Sequence, residues 1–436
     1  MVSKICVASA VLLALLVPQS APAQDGGLRV GAARINITPP NAHPASIRDS
    51  LYVRAIVIDD GATRAVLISA DQASVGEAIW SAASREISEL LDTPVENIVI
   101  SATHTHSAGG PNSFLSSPLL REALPEVVRR ASASLRPAQV SYGVGSAYLN
   151  VNRDAIHPET RLWYQGPNLE GVSDKSVPVI GFWTTDGEPI AAFYSYSMHP
   201  VNFYNTGFIS ADFIGEAARH IETVLGPDFV TLFAQAPSGD QNPLYTRISS
   251  PVPAAVEQVP LDLPPGDEAQ PASLRVVAGV DEFVRAAGVI LGQEVMRVMY
   301  TSARSTDARI SGAQTIVTCP GRTRLDSARQ GVPGEYEDGP DVNIRVGALR
   351  VGSVALVTIN AEAYTEIGLR LKRESPLANL IPITLTNGSA GSGYIPDDAS
   401  FYRYTFQVLG SRLKPGCAES GIANAARDLI AATARF

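Results

Sequence analysis

A chain of 436 residues with 45% hydrophobic and 18% charged residues has the composition of a folded protein with a large core, which excludes intrinsic disorder. Its 43 acidic against 34 basic residues give a formal net charge of −9 with no basic cluster, which argues against nucleic acid as a partner and against strong non-specific attraction to anionic membranes. The first residues read as an export signal: Lys4, an apolar run from Ile5 to Val17 too short to span a bilayer, and the small-x-small pattern Ala21-Pro22-Ala23. The expectation is a leader over 1–23 and a single secreted or periplasmic domain over 24–436, with oligomeric state unspecified. Of the three cysteines, Cys6 lies in the leader. Cys319 and Cys417 remain, and an oxidising compartment favours one disulfide between them, although spacing alone does not prove it.

Leu28 to Thr38 alternates loosely and stops at Pro39-Pro40, a strand and a break. Leu51 to Asp59 and Thr63 to Ala70 are strand-like and joined through Asp60-Gly61, a hairpin turn. Val75 to Leu91 has helical spacing of apolar residues. Asn97 to Ala102 is a short apolar, β-branched run that ends in Thr103-His104-Thr105-His106 and then Gly109-Gly110. A helix over Leu119 to Leu135 and a strand over Gln139 to Tyr148 follow. Val177 to Trp183 and Ile190 to Ser197 flank Asp186-Gly187, and the second leads into Met198-His199-Pro200. A helix is expected over Asp212 to Leu225, a strand over Val230 to Ala234 and a turn over Gly239-Asp240-Gln241-Asn242-Pro243. Pro251 to Pro271 reads as a proline-rich surface loop. Leu274 to Tyr300 is a long helix. Strands are expected over Ala308 to Cys319 and over Val342 to Ile359, with a break at Gly352-Ser353. Ala361 to Arg373 reads as a helix, Ile381 to Thr386 as a strand, and Glu419 to Arg435 as the closing helix. Interleaved strands and helices with local hairpins predict an α/β fold of mixed sheets with flanking helices, without internal repeats.

Two of the six histidines lie two residues apart at the end of the Asn97–Ala102 run. In extended backbone, side chains at i and i+2 share a side, so His104 and His106 can serve one centre. Hydrogen-bonded histidines without a metal fit the same spacing. Other polar groups also follow apolar strands: Asn152-Arg153-Asp154, His199, Glu362 after Val354–Asn360, and Tyr394 in Gly391-Ser392-Gly393-Tyr394-Ile395-Pro396. Two imidazoles with carboxylate and phenol oxygens make a mixed N/O set that suits Zn²⁺.

These segments, taken in order, resemble the catalytic domain of the neutral/alkaline non-lysosomal ceramidase family. Gly31 to Pro39 resembles its opening strand. Ile100 to Gly110 resembles its metal motif, and this is the most specific match. Asn152-Arg153, Met198-His199-Pro200 followed by Ser210-Ala211-Asp212, Gly239-Asp240, Asn360-Ala361-Glu362 and Asn387 to Pro396 resemble the family's later segments. The resemblance implies a zinc-dependent hydrolase that cleaves the N-acyl amide of ceramide-like lipids. His104, His199, Glu362 and Tyr394 would be metal ligands, and His106 and Arg153 would act on substrate. Tyr404 is added as a second substrate-facing tyrosine. The implied partners are a small-molecule or lipid substrate and, transiently, a membrane surface.

Two departures bear on substrate rather than on the zinc set. The well-known family members carry an immunoglobulin-like domain after the catalytic one, whereas too few residues follow Tyr394 here for a sandwich of ~100 residues. Asn242 stands in Gly239-Asp240-Gln241-Asn242-Pro243 where the family has serine, which excludes a serine nucleophile at this position. The same zinc set on another N-acyl amide, ester or carbohydrate-derived substrate, or a non-enzymatic zinc- or lipid-binding protein, are the alternatives. Each residue also has a plainer reading. Glu362 can be an acidic residue at a helix start, Tyr394 a loop tyrosine, Arg153 half of a surface ion pair with Asp154, Asp240 a turn residue, and Tyr404 a core residue.

Overall fold

The computed structural model describes residues 27–109, 118–204, 206–244, 270–307, 309–327 and 329–434. The expected leader, and the expected loop as far as residue 269, lie outside the described residues. In chain order the elements are β1 (Arg29–Asn36), β2 (Tyr52–Asp59), β3 (Arg64–Ala70), α1 (Glu77–Leu91), β4 (Ile98–Ala102), α2 (Pro118–Ala133), β5 (Arg136–Ser146), β6 (Asn150–Ile156), β7 (Trp163–Asn168), β8 (Ser176–Thr184) and β9 (Pro189–Tyr196). Then come α3 (Asp212–Leu225), β10 (Val230–Gln235), β11 (Gln241–Pro243), α4 (Gln270–Thr301), β12 (Arg304–Ser305), β13 (Ile310–Arg324), β14 (Tyr336–Val351) and β15 (Val354–Ile359). The chain closes with β16 (Glu362–Ala363), α5 (Thr365–Glu374), β17 (Leu380–Ile383), β18 (Tyr394–Ile395), α6 (Phe406–Gly410) and α7 (Ala418–Thr433).

Strand alternation stacks these elements in four layers. One sheet runs β10-β9-β8-β5-β1-β2-β3-β4, with β12 added beside β5, and a second runs β13-β14-β15-β17. Ile56 and Ile58 of β2 and Leu67 of β3 meet Leu349, Val354, Leu356 and Ile381 in a core between the two sheets. The alternate residues Val53, Ala55, Val57, Val66 and Ile68 face the other way and pack on α1 and α2. The far half of the large sheet packs on α3 and α4. On the outer side of the small sheet, Ala355, Val357 and Ile359 pack on α5 and α7. Burying each such aliphatic side chain is worth roughly 1.5–3 kcal/mol, so a slip of one residue, which would turn a whole row outward, is strongly disfavoured. Helix α1 shows the same logic at the 3.6-residue period. Trp80, Ala83, Ile87 and Leu91 make its buried face, and Asp92 ends it in the left-handed region while its N–H bonds Ser88 O.

Most strand pairs are antiparallel, but the short β16/β18 ladder is parallel, as are β3/β4, β9/β10 and β15/β17. The segment after β17 ties their carboxyl ends together. Thr384 N–H donates to Gln235 O at 2.8 Å, Ala102 N–H to Leu385 O at 3.1 Å, and Asn387 N–H to Ile100 O at 2.8 Å. Crevices outside the carboxyl ends of parallel strands are where α/β folds gather functional loops. The expected disulfide joins Cys319 on β13 to Cys417 just before α7.

Three expectations need correction. The turn expected over Gly239 to Pro243 is confined to its first residues, because Gln241–Pro243 pair with Asn150–Asn152 as strand β11. The helix expected from Ala361 starts only at Thr365. Glu362 and Ala363 are instead drawn into a parallel ladder with Tyr394 and Ile395, and the Asp240 carboxylate accepts the Thr365 N–H at 2.8 Å, supplying a helix cap from outside the segment. The region over Asn150–Asn168, given no strand in the sequence reading, forms β6 and β7. With β11 they make a small separate sheet that presents Arg153.

Candidate metal centre

Strand β4 ends at Ala102. Past it, Thr103 N–H donates to Ala70 O and His104 N–H to Gln72 O, each at 2.9 Å. His104 has φ 70°, a left-handed conformation that histidine tolerates better than most residues. The two imidazoles of His-Thr-His therefore converge through a turn at His104, and not through the strand alternation expected from their spacing. His199 follows β9, and its N–H points to Gln241 O at 3.3 Å. Glu362 and Tyr394 are brought side by side as a register pair of the β16–β18 ladder.

The donor atoms of three of these residues form a triangle of equal sides. His104 Nε2 and His199 Nε2 are 3.2 Å apart, and each is 3.2 Å from Glu362 Oε2. Both rings are fixed from behind by carbonyls, His104 Nδ1 lying 2.7 Å from Ala73 O and His199 Nδ1 3.0 Å from Gln241 O. A carbonyl only accepts, so each Nδ1 carries the hydrogen and each Nε2 presents a lone pair. Two nitrogen lone pairs and a carboxylate oxygen then face one another with no proton between the nitrogens, an arrangement that a cation satisfies. A tetrahedral zinc with bonds of about 2.0–2.1 Å requires ligand–ligand separations of about 3.3–3.4 Å, close to the observed edges. His106 Nε2 lies 3.3 Å from His104 Nε2, and the nitrogens of His104, His106 and His199 all fall within 4.8 Å of one another. A metal ion fits this donor set.

Arg153 closes the centre from β6. It is 3% exposed, so the plainer alternative of a surface pair with Asp154 does not hold; Asp154 pairs with Arg403 at 3.2 Å instead. Arg153 Nε and Nη2 donate to Gly239 O at 3.1 and 2.7 Å, Nη1 donates to Asn242 Oδ1 at 3.2 Å, and Nη2 donates to Tyr394 Oη at 3.2 Å. Asp240 is the turn residue expected of it. It accepts from Asn152 Nδ2 and Thr365 N–H, and its carbonyl accepts the Arg153 N–H. Six of the seven predicted site residues are thus brought together. The seventh, Tyr404, sits in a left-handed turn with its carbonyl bonded to Gly331 N–H, and its described electrostatic neighbour is Arg322.

Burial sets the charge states. It drives His199 down to about 3 and holds His106 well below the ordinary histidine value, with His104 and His199 adding to the effect on His106. Burial alone would raise the Glu362 carboxyl; its pairing with His104 and His199 acts the other way and holds it well below the usual carboxylate range, which requires positive charge between these groups, as a bound cation would supply. The Tyr394 phenol is pushed up by burial and by Glu362. At neutral pH the centre therefore presents the neutral imidazoles of His106 and His199, one carboxylate, a phenol and a guanidinium.

Nothing in the sequence points to the carbonyls of Ala73 and Gln241, which aim the rings, because backbone acceptors leave no residue-type signature. The amide of Asn242 has one signal, its place where the resembling family has serine. A cavity of about 160 Å³ beside the donors is lined by Ser74, His104, Asn360, Glu362, Ser389 and Gly393. A larger one of about 580 Å³, lined by Arg34, Arg48, Arg54 and Glu222, lies apart from the donor set.

The sequence profile described as neutral/alkaline non-lysosomal ceramidase, N-terminal, matches residues 39–249. The chain is 26% identical over 272 residues to the neutral ceramidase of Pseudomonas aeruginosa, a match covering 54% of this chain and 39% of that protein. It is 23% identical over 259 residues to neutral ceramidase B of Dictyostelium discoideum, covering 50% and 36%. The matched segment thus spans less than two fifths of either relative. The crystal structure of the Pseudomonas aeruginosa neutral ceramidase is similar to this one with a TM-score of 0.68 at 16% identity, over 94% of this chain and 75% of that one, so the α/β fold is shared.

Proposed function

This chain is a relative of the neutral/alkaline non-lysosomal ceramidases, and from that premise we propose that it is a zinc-dependent amidohydrolase. It would cleave the N-acyl amide of ceramide-like lipids to a fatty acid and a sphingoid base. The observation that carries the reading is the 3.2 Å donor triangle of His104, His199 and Glu362 with His106 and Arg153 beside it. Those three residues, with Tyr394 next to them in the ladder, would hold the metal. When bound, zinc supplies a Lewis acid that polarises a carbonyl and brings the pKa of water toward neutrality.

The remaining work falls to the protein. His106 is neutral at pH 7, so its ring can take a proton from the attacking water and return it to the departing amine nitrogen. Arg153 holds a fixed positive charge in a buried setting, where it steadies negative charge developing on the substrate oxygen more effectively than it would in water. This charge work falls to Arg153 and not to Tyr404, whose described neighbours are Arg322 and Gly331. Secretion or a periplasmic location belongs to the same proposal, as does a single hydrolase domain over 24–436. No helix among the described residues is long and apolar enough to cross a membrane. Contact with lipid would be transient and superficial, helped by the exposed side chains of Tyr402 and Phe406.

The test is fatty-acid release by zinc-loaded protein from short- and long-chain ceramides, in detergent and in vesicles, with His106→Ala protein as the blank. Release should depend on His106 and be faster from short-chain or detergent-dispersed ceramide. If no ceramide is turned over while another N-acyl amide, an ester or a carbohydrate derivative is, the zinc chemistry stands and the substrate assignment falls. Zinc binding without any turnover would leave a binding protein.

A further inference from the structure

Arg153 is a buried cation held only by neutral acceptors. Its four described side-chain hydrogen bonds go to the Gly239 carbonyl twice, the Asn242 amide oxygen and the Tyr394 phenol. The two carboxylates nearest in the chain are turned to other partners, Asp154 to Arg403 and Asp240 to Asn152 and Thr365. A buried guanidinium usually takes a carboxylate partner, because desolvating an unpaired charge is costly. Here no carboxylate among the described residues hydrogen-bonds the guanidinium, and Glu362 and Asp154 act on it only through space. The choice is made most sharply at residue 242, where an aspartate would be isosteric with the asparagine present and would place a full negative charge on Nη1. Asn242 is 1% exposed and lies on β11, its backbone opposite Val151 of β6. Its amide is therefore fixed by two paired strands, one of which carries Arg153.

We propose that Asn242 is a positioning residue that locks the Arg153 guanidinium without neutralising it, keeping its charge free for an anionic group of the ligand. That group is the developing oxyanion during hydrolysis and a carboxylate when product is bound. The part concerning hydrolysis rests on the amidohydrolase reading; the part concerning carboxylate binding does not. A purely structural asparagine would make a different demand. In that case aspartate, which accepts the same hydrogen bond and makes it stronger, would be tolerated or would stabilise the fold.

The experiment compares Asn242→Asp and Asn242→Ser with the native chain, all zinc-loaded. It reads zinc content, thermal midpoint, kcat and KM on a short-chain N-acyl amide, and the affinity for decanoate by calorimetry. Asn242→Asp should keep zinc and its thermal midpoint, bind decanoate at least about tenfold more weakly and lose about 10²-fold in kcat, the scale of losing one oxyanion contact. Asn242→Ser removes the reach to Nη1 without adding charge. It should lose about tenfold in kcat with KM held and keep decanoate affinity within about threefold. An Asn242→Asp protein that binds decanoate and turns over like the native chain overturns the proposal. So does an Asn242→Ser protein with unchanged kcat, which decides the matter if the aspartate variant fails to fold. If the native chain hydrolyses no amide, the amidohydrolase reading fails separately, and the decanoate comparison alone decides the role of Asn242.

Discussion

Removing and restoring the metal should move the stability of the whole chain by a predictable amount. The three donor atoms already stand 3.2 Å apart, against about 3.3–3.4 Å around a tetrahedral zinc, so binding requires little rearrangement. Nearly all of the binding free energy should then appear as stabilisation of the folded state. At a free zinc concentration of about 1,000 times Kd that is about 4.1 kcal/mol. An unfolding entropy of about 2.1 cal/mol/K per residue over 436 residues converts this to a rise of about 4–5 °C in thermal midpoint. Calorimetry on chelator-stripped protein, with and without zinc, measures it. His104→Ala and His199→Ala should each reduce the rise to about a degree or less. His106→Ala should keep it and lose turnover by roughly 10²–10⁴-fold. A native chain with no zinc-dependent rise, or a His106→Ala protein that loses the rise as fully as His104→Ala, would refute the separation of ligands from catalyst.

Three further outcomes concern the scaffold. Arg48, nearly buried, pairs with Asp49, Glu216 and Asp281, and Asp49 in turn accepts from Ser210 Oγ and Ala211 N–H. Arg48→Ala should cost about 3–5 kcal/mol in chemical denaturation, and a loss under about 1 kcal/mol would count against the network. The Cys319–Cys417 disulfide closes a separation of 98 residues, and replacing both cysteines by serine should cost up to about 4.7 kcal/mol. Two free thiols titrated in the unfolded, unreduced chain would show that the bond is not formed. The Asp212 carboxyl is raised by burial to about 6, so its protonated form is favoured in the folded state. Its contribution is therefore complete below about pH 3.9 and is lost as pH rises through about 6, by about 3 kcal/mol in all. The stability of the native chain relative to Asp212→Asn should fall across that window, and a difference independent of pH rejects the assignment.

Regular elements were legible because their periods are written into side chains. The apolar run before His104, the hairpins at Asp60-Gly61 and Asp186-Gly187, and the amphipathic α1 and α3 all stand close to where the sequence puts them. What was not legible is non-local. Glu362 was assigned to a helix because Ala361 to Arg373 has helical spacing. Its actual conformation is set by pairing with Tyr394, which no window of sequence contains. The left-handed turn at His104 depends on the carbonyls of Gln72 and Ala73. The plainer reading of Arg153, half of a surface pair with Asp154, fails because the pairing of β6 with β7 shifts register between Asn152 and Asp154, and Arg153 and Asp154 find different partners.

The two-rung ladder joining Glu362 to Tyr394 makes the geometry of this centre a matter of counting rather than of distance. The pair is specified by backbone register, and alternation has a period of two. Losing or gaining one residue within β16 or β18 would therefore not displace a ligand by a few tenths of an ångström; it would send it to the opposite side. The connection between the two rungs runs through α5, β17 and the glycine-containing stretch 388–393, and its length can change without altering which residues face each other. Variation should accumulate in that connection, while the rungs admit substitution but not insertion. Relatives of this chain should be recognisable by the parity of positions around Glu362 and Tyr394 even where overall identity has faded.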